Sequence, residues 1–452
     1  MGHTEDENNH DLIYKLNDNP PLLEKVFAAF QHICAILIPI MVPGYIVANA
    51  IGCDFKTTSA IVSTCLIISG LGTFLQAKKV GPIGSGLLSI QGTSFGFVGI
   101  LIITGKIGGL PLIFGTCMIG VIIQFVVAYF LPKVKNIFPP VVSGTVVFLI
   151  GATLIHVAID AMAGGQAAKT AGNYASSKFI LLGVLVIILI VIFQSSRKKI
   201  LRIGCILFAT VIGFIVAIPL GMVDFSGLSQ SRMIYTPSLF GYGIKFGWAT
   251  LLPMLIIFFV TAIEAIGDIT ATASVSGEPI DGKVHMKRLS GGVLTDGISS
   301  LIGSILGGFP LSCFAQNNGI IQITGVASRY VGFFIAGFLV IAGFFPIVSS
   351  IFQIIPQSVL GGGMLIMFGT IMAAGIRILG MEKLSRRSLI IVSVAIAAGM
   401  TVENHAILES FPDIIRYSFS SGIGTGGLIA ILLNLILPKD KEKLKPHTVQ
   451  ES

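Results

Sequence analysis

Apolar runs of about 20 residues recur along most of this chain, each closed by a short polar or basic break. A helix of that length covers the roughly 30 Å hydrocarbon core of a bilayer. Read between the breaks, the pattern predicts about 14 crossings. Their cores begin near Phe27, Ser59, Leu87, Leu110, Val141, Phe179, Ile203, Thr250, Gly291, Phe309, Tyr330, Val359, Leu389 and Ser418. The third, ninth and tenth windows are short and rich in glycine, so the helical signal is weakest there. The fold class that follows is an all-α polytopic membrane protein.

Composition points the same way. Hydrophobic residues make up 54% of the chain and charged ones 11%, against about 25% charged in a soluble domain. Residues 1–22 are polar and acidic, without the basic start and apolar stretch of a signal peptide, and read as a solvated cytoplasmic tail. The six cysteines lie in or beside apolar runs with no metal-ligand spacing, and read as small packing residues. The net charge of +8 is explained by topology. With both termini inside, the inner connections and tails hold Lys78, Lys79, Arg197, Lys283, Arg387 and most other basic residues, about 22 of the 29. That is the positive-inside bias, so no nucleic-acid partner is expected.

Two segments about 218 positions apart share a pattern. VVSGTVVFLIG opens at Val141 and VLGGGMLIMFG at Val359, with glycine at Gly144 and Gly151, then at Gly362 and Gly369. At a similar spacing, the third and tenth windows contain the interrupted stretches SIQGTSF (Ser89 to Phe95) and CFAQNNG (Cys313 to Gly319). Seven spans is an odd offset, so the second half must be inverted relative to the first. Inverted repeats with paired broken helices are the architecture of many secondary transporters, with the substrate held between the breaks.

Three acidic residues occupy the most costly positions. Glu264 and Asp268 lie within LLPMLIIFFVTAIEAIGDITATASV, and Asp296 lies within the next apolar segment. A carboxylate at mid-membrane costs about 2.5–3.5 kcal/mol, so it is expected to face a cavity, a partner or a proton path. Glu264 and Asp268 are four apart and share one helix face. A proton-coupled carrier needs a group of this kind. Asp296 either supports that site or makes a packing hydrogen bond, and His32 is open to the same two readings. Gln316, Asn317 and Asn318 offer amide donors and acceptors suited to a ligand with alternating N–H and C=O edges. For Asn317 and Asn318 the alternative is capping of an unwound helix. Phe95 either stacks on a planar ligand or packs in the core.

These residues make the chain recognisable. The segment QNNGIIQITG (Gln316 to Gly325), the stretch AIEAIGDITATASVSG, the stretch SIQGTSF and Gln31-His32 together resemble the nucleobase–ascorbate transporter family, also called nucleobase:cation symporter family 2. QNNG followed by ITGVASRYVG is similar to its bacterial xanthine permease branch. The resemblance implies seven plus seven inverted helices. A core would comprise residues 23–135 and 245–346, and a gate residues 136–222 and 356–438, with a C-terminal tail at 439–452. It implies a homodimer through the gates in a bacterial inner membrane. Xanthine import by proton symport is the implied function; other purines, urate or uracil are alternatives, as is sodium coupling. No cofactor is implied. Glu264, Gln316, Phe95, Ser94 and Asn318 would contact the base, and Asp268, Asp296, His32 and Asn317 would support coupling. Ser94 stands where some xanthine carriers have a larger amide side chain. A sulfate- or bicarbonate-type carrier of the same fold would need a cation at this acidic centre, and no nucleophile–base pair or phosphate loop points to an enzyme.

Overall fold

The computed structural model describes residues 12–438 apart from 135–138, 226–232, 281, 315, 381–384, 403–410, 412–418 and 420. The C-terminal tail, residues 1–11, and the predicted start of the last span at Ser418 therefore lie outside the described residues. Helices α1 (Leu22–Ala50) and α2 (Phe55–Lys78) lead into strand β1 (Gln91–Thr93), and a 3-10 turn at Phe95–Phe97 opens α3 (Val98–Gly120). There follow α4 (Ile122–Val134), α5 (Pro140–Met162), α6 (Gly165–Thr170), α7 (Ser177–Gln194), α8 (Lys199–Ile203) and α9 (Cys205–Ala217). The second half runs through α10 (Trp248–Val275), α11 (Gly282–Leu306), β2 (Leu311–Cys313), α12 (Gln316–Thr324) and α13 (Arg329–Phe344). It ends with α14 (Ile347–Ile354), α15 (Gln357–Leu379), α16 (Arg386–Val402) and α17 (Gly422–Ile436).

Among the described residues, eight helical stretches are long and apolar enough to cross a bilayer unaided. α13 and α14 make a ninth, bent by 75°. α9 and α17 are shorter apolar helices. The third and fourth predicted windows meet at Gly108 and Gly109, where the backbone of α3 leaves helical geometry. Gly109 takes φ of 68°, which a residue with a Cβ adopts only at a cost, and Pro111 follows it.

The two predicted breaks are extended and pair with each other. β1 and β2 run antiparallel, with Gln91 opposite Cys313 and Thr93 opposite Leu311. Backbone inside a membrane protein must find internal partners. Here neighbouring helices supply them: Gln91 N donates to Thr73 Oγ1 of α2 (3.0 Å) and Leu311 N to Ser300 Oγ of α11 (3.0 Å). At the strand ends Ser94 N donates to Pro310 O (3.0 Å) and Phe314 N to Ile90 O (2.9 Å).

The repeat helices α5 and α15 pack face to face and antiparallel. Gly144 lies against Leu379, Gly375 against Phe148, Gly151 against Met372 and Gly361 against Met162. The odd offset requires that direction. Glycines allow the close approach: a Cβ on Gly151 would stand 2.6 Å from Met372 N. Gly151→Leu is therefore expected to destabilise the fold by about 1–3 kcal/mol or more, read as a lower melting temperature in detergent. Gly362 instead faces Gly183 of α7, and nothing lies within 4 Å of a Cβ at Gly369, so only part of the shared glycine pattern serves this contact.

The N-terminal segment departs from expectation. Residues read as solvated tail are docked from Ile13 onward. Ile13 N bonds Gly325 O (2.8 Å), Ala327 N bonds Tyr14 O (2.9 Å) and Ser328 Oγ bonds Asp18 O (2.6 Å). Leu16, within this strap, is buried. Backbone groups make most of these bonds, so the polar composition of the segment gave no sign of them.

Candidate functional site

The strand pair sits at the meeting point of α1, α2, α10 and α11. α10 carries Glu264, Asp268 and Thr272 at four-residue steps, one beneath the next on a single face. Asp268 is buried and Glu264 half-buried, with its Oε2 shielded from solvent. That oxygen points toward the 3-10 turn: a Cβ built on Gly96 would lie 3.9 Å from it. The turn opens a helix, so backbone N–H groups and the positive end of the α3 dipole are directed there. Ser94 caps the turn, its Oγ accepting from Gly96 N at 3.3 Å. Among the described residues, Glu264 Oε2 and Asp268 Oδ1 have no hydrogen-bond partner.

Phe95, the first residue of the turn, is buried. Its ring stacks on Phe314 (centroids 6.3 Å apart, 23° between planes) and meets Phe368 of α15 edge-on at 5.4 Å. Three rings thus join both breaks to the repeat helix, next to the carboxylate-bearing helix. Flat aromatic surface beside an acid–amide edge suits a planar heterocycle.

The amide cluster divides into separate tasks. Asn318 Oδ1 lies 2.7 Å from Thr272 Oγ1, which is also 2.8 Å from Asp268 O. Asn317 Nδ2 donates to Leu88 O, while its Oδ1 has no partner among the described residues. His32, fully buried, lies beside Asn317, with neither ring nitrogen in hydrogen-bond geometry. Gln316 begins α12 and borders a cavity of about 370 Å³ lined also by Ala35, Pro39, Arg202, Met367 and Arg377. Arg377 Nη1 donates to Gln322 Oε1 there (3.2 Å). Thr272→Val would leave the Asn318 carbonyl without its donor. A loss of about 1–3 kcal/mol is expected, measurable as a lower melting temperature with α10 and α12 less firmly joined.

Asp296 is buried on α11 and ties four elements together. Its Oδ1 accepts from Gln91 Nε2 of β1, and lies 3.3 Å from Gln76 Nε2 of α2 and 3.5 Å from Cys313 Sγ of β2. Gln76 also accepts from Ser85 N (3.0 Å) and donates to Gly292 O (3.1 Å). Asp268 and Asp296 are close enough to interact electrostatically, and both act on Glu264. Sequence reasoning missed Gln76 and Gln91 as partners of Asp296 and Thr272 as the partner of Asn318, and read Cys313 as packing alone. The available signal was polarity: Gln76 and Gln91 are large amides within apolar stretches.

Residues 23–408 match the sequence model of a permease family. The chain is 42% identical to the xanthine permease XanP of Escherichia coli (strain K12) over 447 residues, 96% of each chain. The chain belongs to the nucleobase–ascorbate transporter family. Another member, xanthine permease XanQ of the same organism, is 42% identical over 438 residues, covering 95% of this chain and 94% of that one. A third, the putative purine permease CPE0397 of Clostridium perfringens (strain 13 / Type A), is 37% identical over 96% of this chain and 95% of its own. Solved structures give the fold. The transmembrane domain of a cyanobacterium bicarbonate transporter, BicA, superposes with TM-score 0.59 at 15% identity, covering 94% of this chain and all of that one. Murine Slc26a9, an anion transporter in the inward-facing state, gives 0.60 at 11% identity over 93% of this chain and 69% of its own. This family member is thus a multi-pass membrane protein with the inverted-repeat fold of core and gate found in those transporters, and its described residues supply eight unaided spans and one bent pair.

Proposed function

We propose that this permease imports xanthine together with a proton across the bacterial inner membrane by alternating access. The observation that carries this reading is the placement of Glu264 in a chain so close to xanthine permeases. Its shielded carboxylate faces the helix-opening turn of Ser94 and Phe95, with Asp268 one turn away. Protonated, Glu264 can donate to a ring acceptor of the purine; the proton and the base then enter together. Phe95 supplies a stacking face, Gln316 an amide pair at the cavity edge, and Ser94 and Asn318 shape the remaining edges. Asp268, Asp296, His32 and Asn317 hold these groups in place or relay the proton.

Residues 23–135 and 245–346 form the moving core in this reading, and 136–222 with 356–438 the gate, which also joins two copies in a dimer. Each 100 mV of membrane potential contributes about 2.3 kcal/mol per charge, enough for about fiftyfold accumulation of a neutral base. The test is uptake of labelled xanthine in cells expressing the protein, competed by a series of purines and pyrimidines, with and without a protonophore. Xanthine should compete best and the protonophore should abolish accumulation. Sulfate competing where purines do not would replace this reading with that of an anion carrier. Turnover of a purine by the purified protein would replace it with an enzyme.

A further inference from the structure

A second cavity, of about 940 Å³, opens between the hairpin after α2 and the start of α11. Lys79, Lys283 and Lys287 line it, with Ser290 and the apolar Ile280 and Met286. Lysines on an inward loop are ordinarily solvated topological charges, but these three converge from two elements that are held together. Lys79 ends α2 with φ of 55°, its N–H bonded to Leu75 O at 3.1 Å. The hairpin closes through Val80 N to Ile83 O (2.8 Å) and Ile83 N to Val80 O (3.0 Å). Gly84 N then bonds Gly291 O (3.0 Å), fixing the hairpin to α11. Among the described residues no carboxylate pairs with the three lysines, and the nearby Glu278 is engaged by Arg288 at 2.7 Å. The rim is greasy as well as basic: Val80, Ile280 and Val284 are each about half exposed or more.

Three point charges around a cavity match a phosphate group, and an apolar rim beside them matches the acyl–headgroup boundary of a membrane. We propose that this cavity binds a phosphate group at the lysine-rich membrane face, presented by an anionic phospholipid or by a soluble phosphate. Each lysine is expected to contribute about fivefold to retention of an anionic headgroup, and the three together roughly a hundredfold.

The full chain, purified in detergent, would be offered phosphatidylglycerol or phosphatidylcholine, and bound lipid counted by native mass spectrometry. The unaltered protein should retain phosphatidylglycerol over phosphatidylcholine. The triple variant Lys79→Gln, Lys283→Gln, Lys287→Gln should lose that preference. The matching triple change to Arg should keep it, as should Arg197→Gln, Lys198→Gln, Lys199→Gln, which removes equal charge elsewhere. Displacement of the lipid by millimolar glycerol phosphate would assign the site to soluble phosphate, and resistance to it would assign the site to lipid. An unchanged preference in the Gln variant at the cavity, or an equal loss in the variant at 197–199, would overturn the proposal.

Discussion

Glu264→Ala is expected to abolish uptake of labelled xanthine, lowering it at least about a hundredfold, while the protein still inserts at normal abundance. A hydrogen bond to a charged or protonating group contributes about 1.5–3 kcal/mol, and loss of the proton carrier removes the driving force as well. Folding should survive because Glu264 Oε2 has no hydrogen-bond partner among the described residues, so its removal orphans nothing. Glu264→Gln separates the two roles. It keeps a donor for the base, so binding of xanthine measured by thermal shift should persist, while accumulation against a gradient should not. Unchanged accumulation by either variant would remove Glu264 from the mechanism.

Asp296→Ala should be the more damaging change to the fold. Its carboxylate is the shared acceptor for Gln76 and Gln91. Each buried N–H left without its acceptor costs about 1–3 kcal/mol, and the strand pair keeps only its backbone bonds to Thr73 of α2 and Ser300 of α11. The expected result is a clear fall in melting temperature with a loss of uptake of about tenfold or more. Asp296→Asn retains one acceptor oxygen, so it should recover most of the thermal stability and part of the uptake. An Asn variant with full stability and no uptake would move Asp296 from support to proton transfer.

Much of this architecture was legible in the sequence because lipid imposes a simple rule. Apolar windows opening from Phe27 to Leu389 each lie in, or just before, a described apolar helix or strand–helix unit. The glycine-rich stretches around Gln91 and Ser312 gave away the breaks, since such segments cannot hold a helix against their alternatives. Their pairing could not be read, because the register of Gln91 opposite Cys313 depends on residues more than 200 positions apart. For the same reason the polarity of Gln76 marked the residue but not its partner: one amide in an apolar helix does not announce which distant carboxylate it meets. The docked strap at Ile13 to Asp18 was hidden differently. Its bonds are mostly backbone to backbone, and composition records side chains only.

The position of Glu264 was foreseeable, since the cost of a carboxylate in hydrocarbon selects for function. That its neighbours would be a helix-opening turn and a trio of aromatic rings was not, because Phe314 and Phe368 are two among 31 phenylalanines.

The most direct test is simultaneous measurement of xanthine and proton entry into sealed liposomes containing the purified protein. Addition of xanthine outside should draw protons inward at a fixed ratio to the base, faster as the external pH is lowered, and Glu264→Gln should uncouple or stop both fluxes. Xanthine entry at an undiminished rate with no accompanying proton movement, in the unaltered protein, would contradict the coupling assigned to this carboxylate.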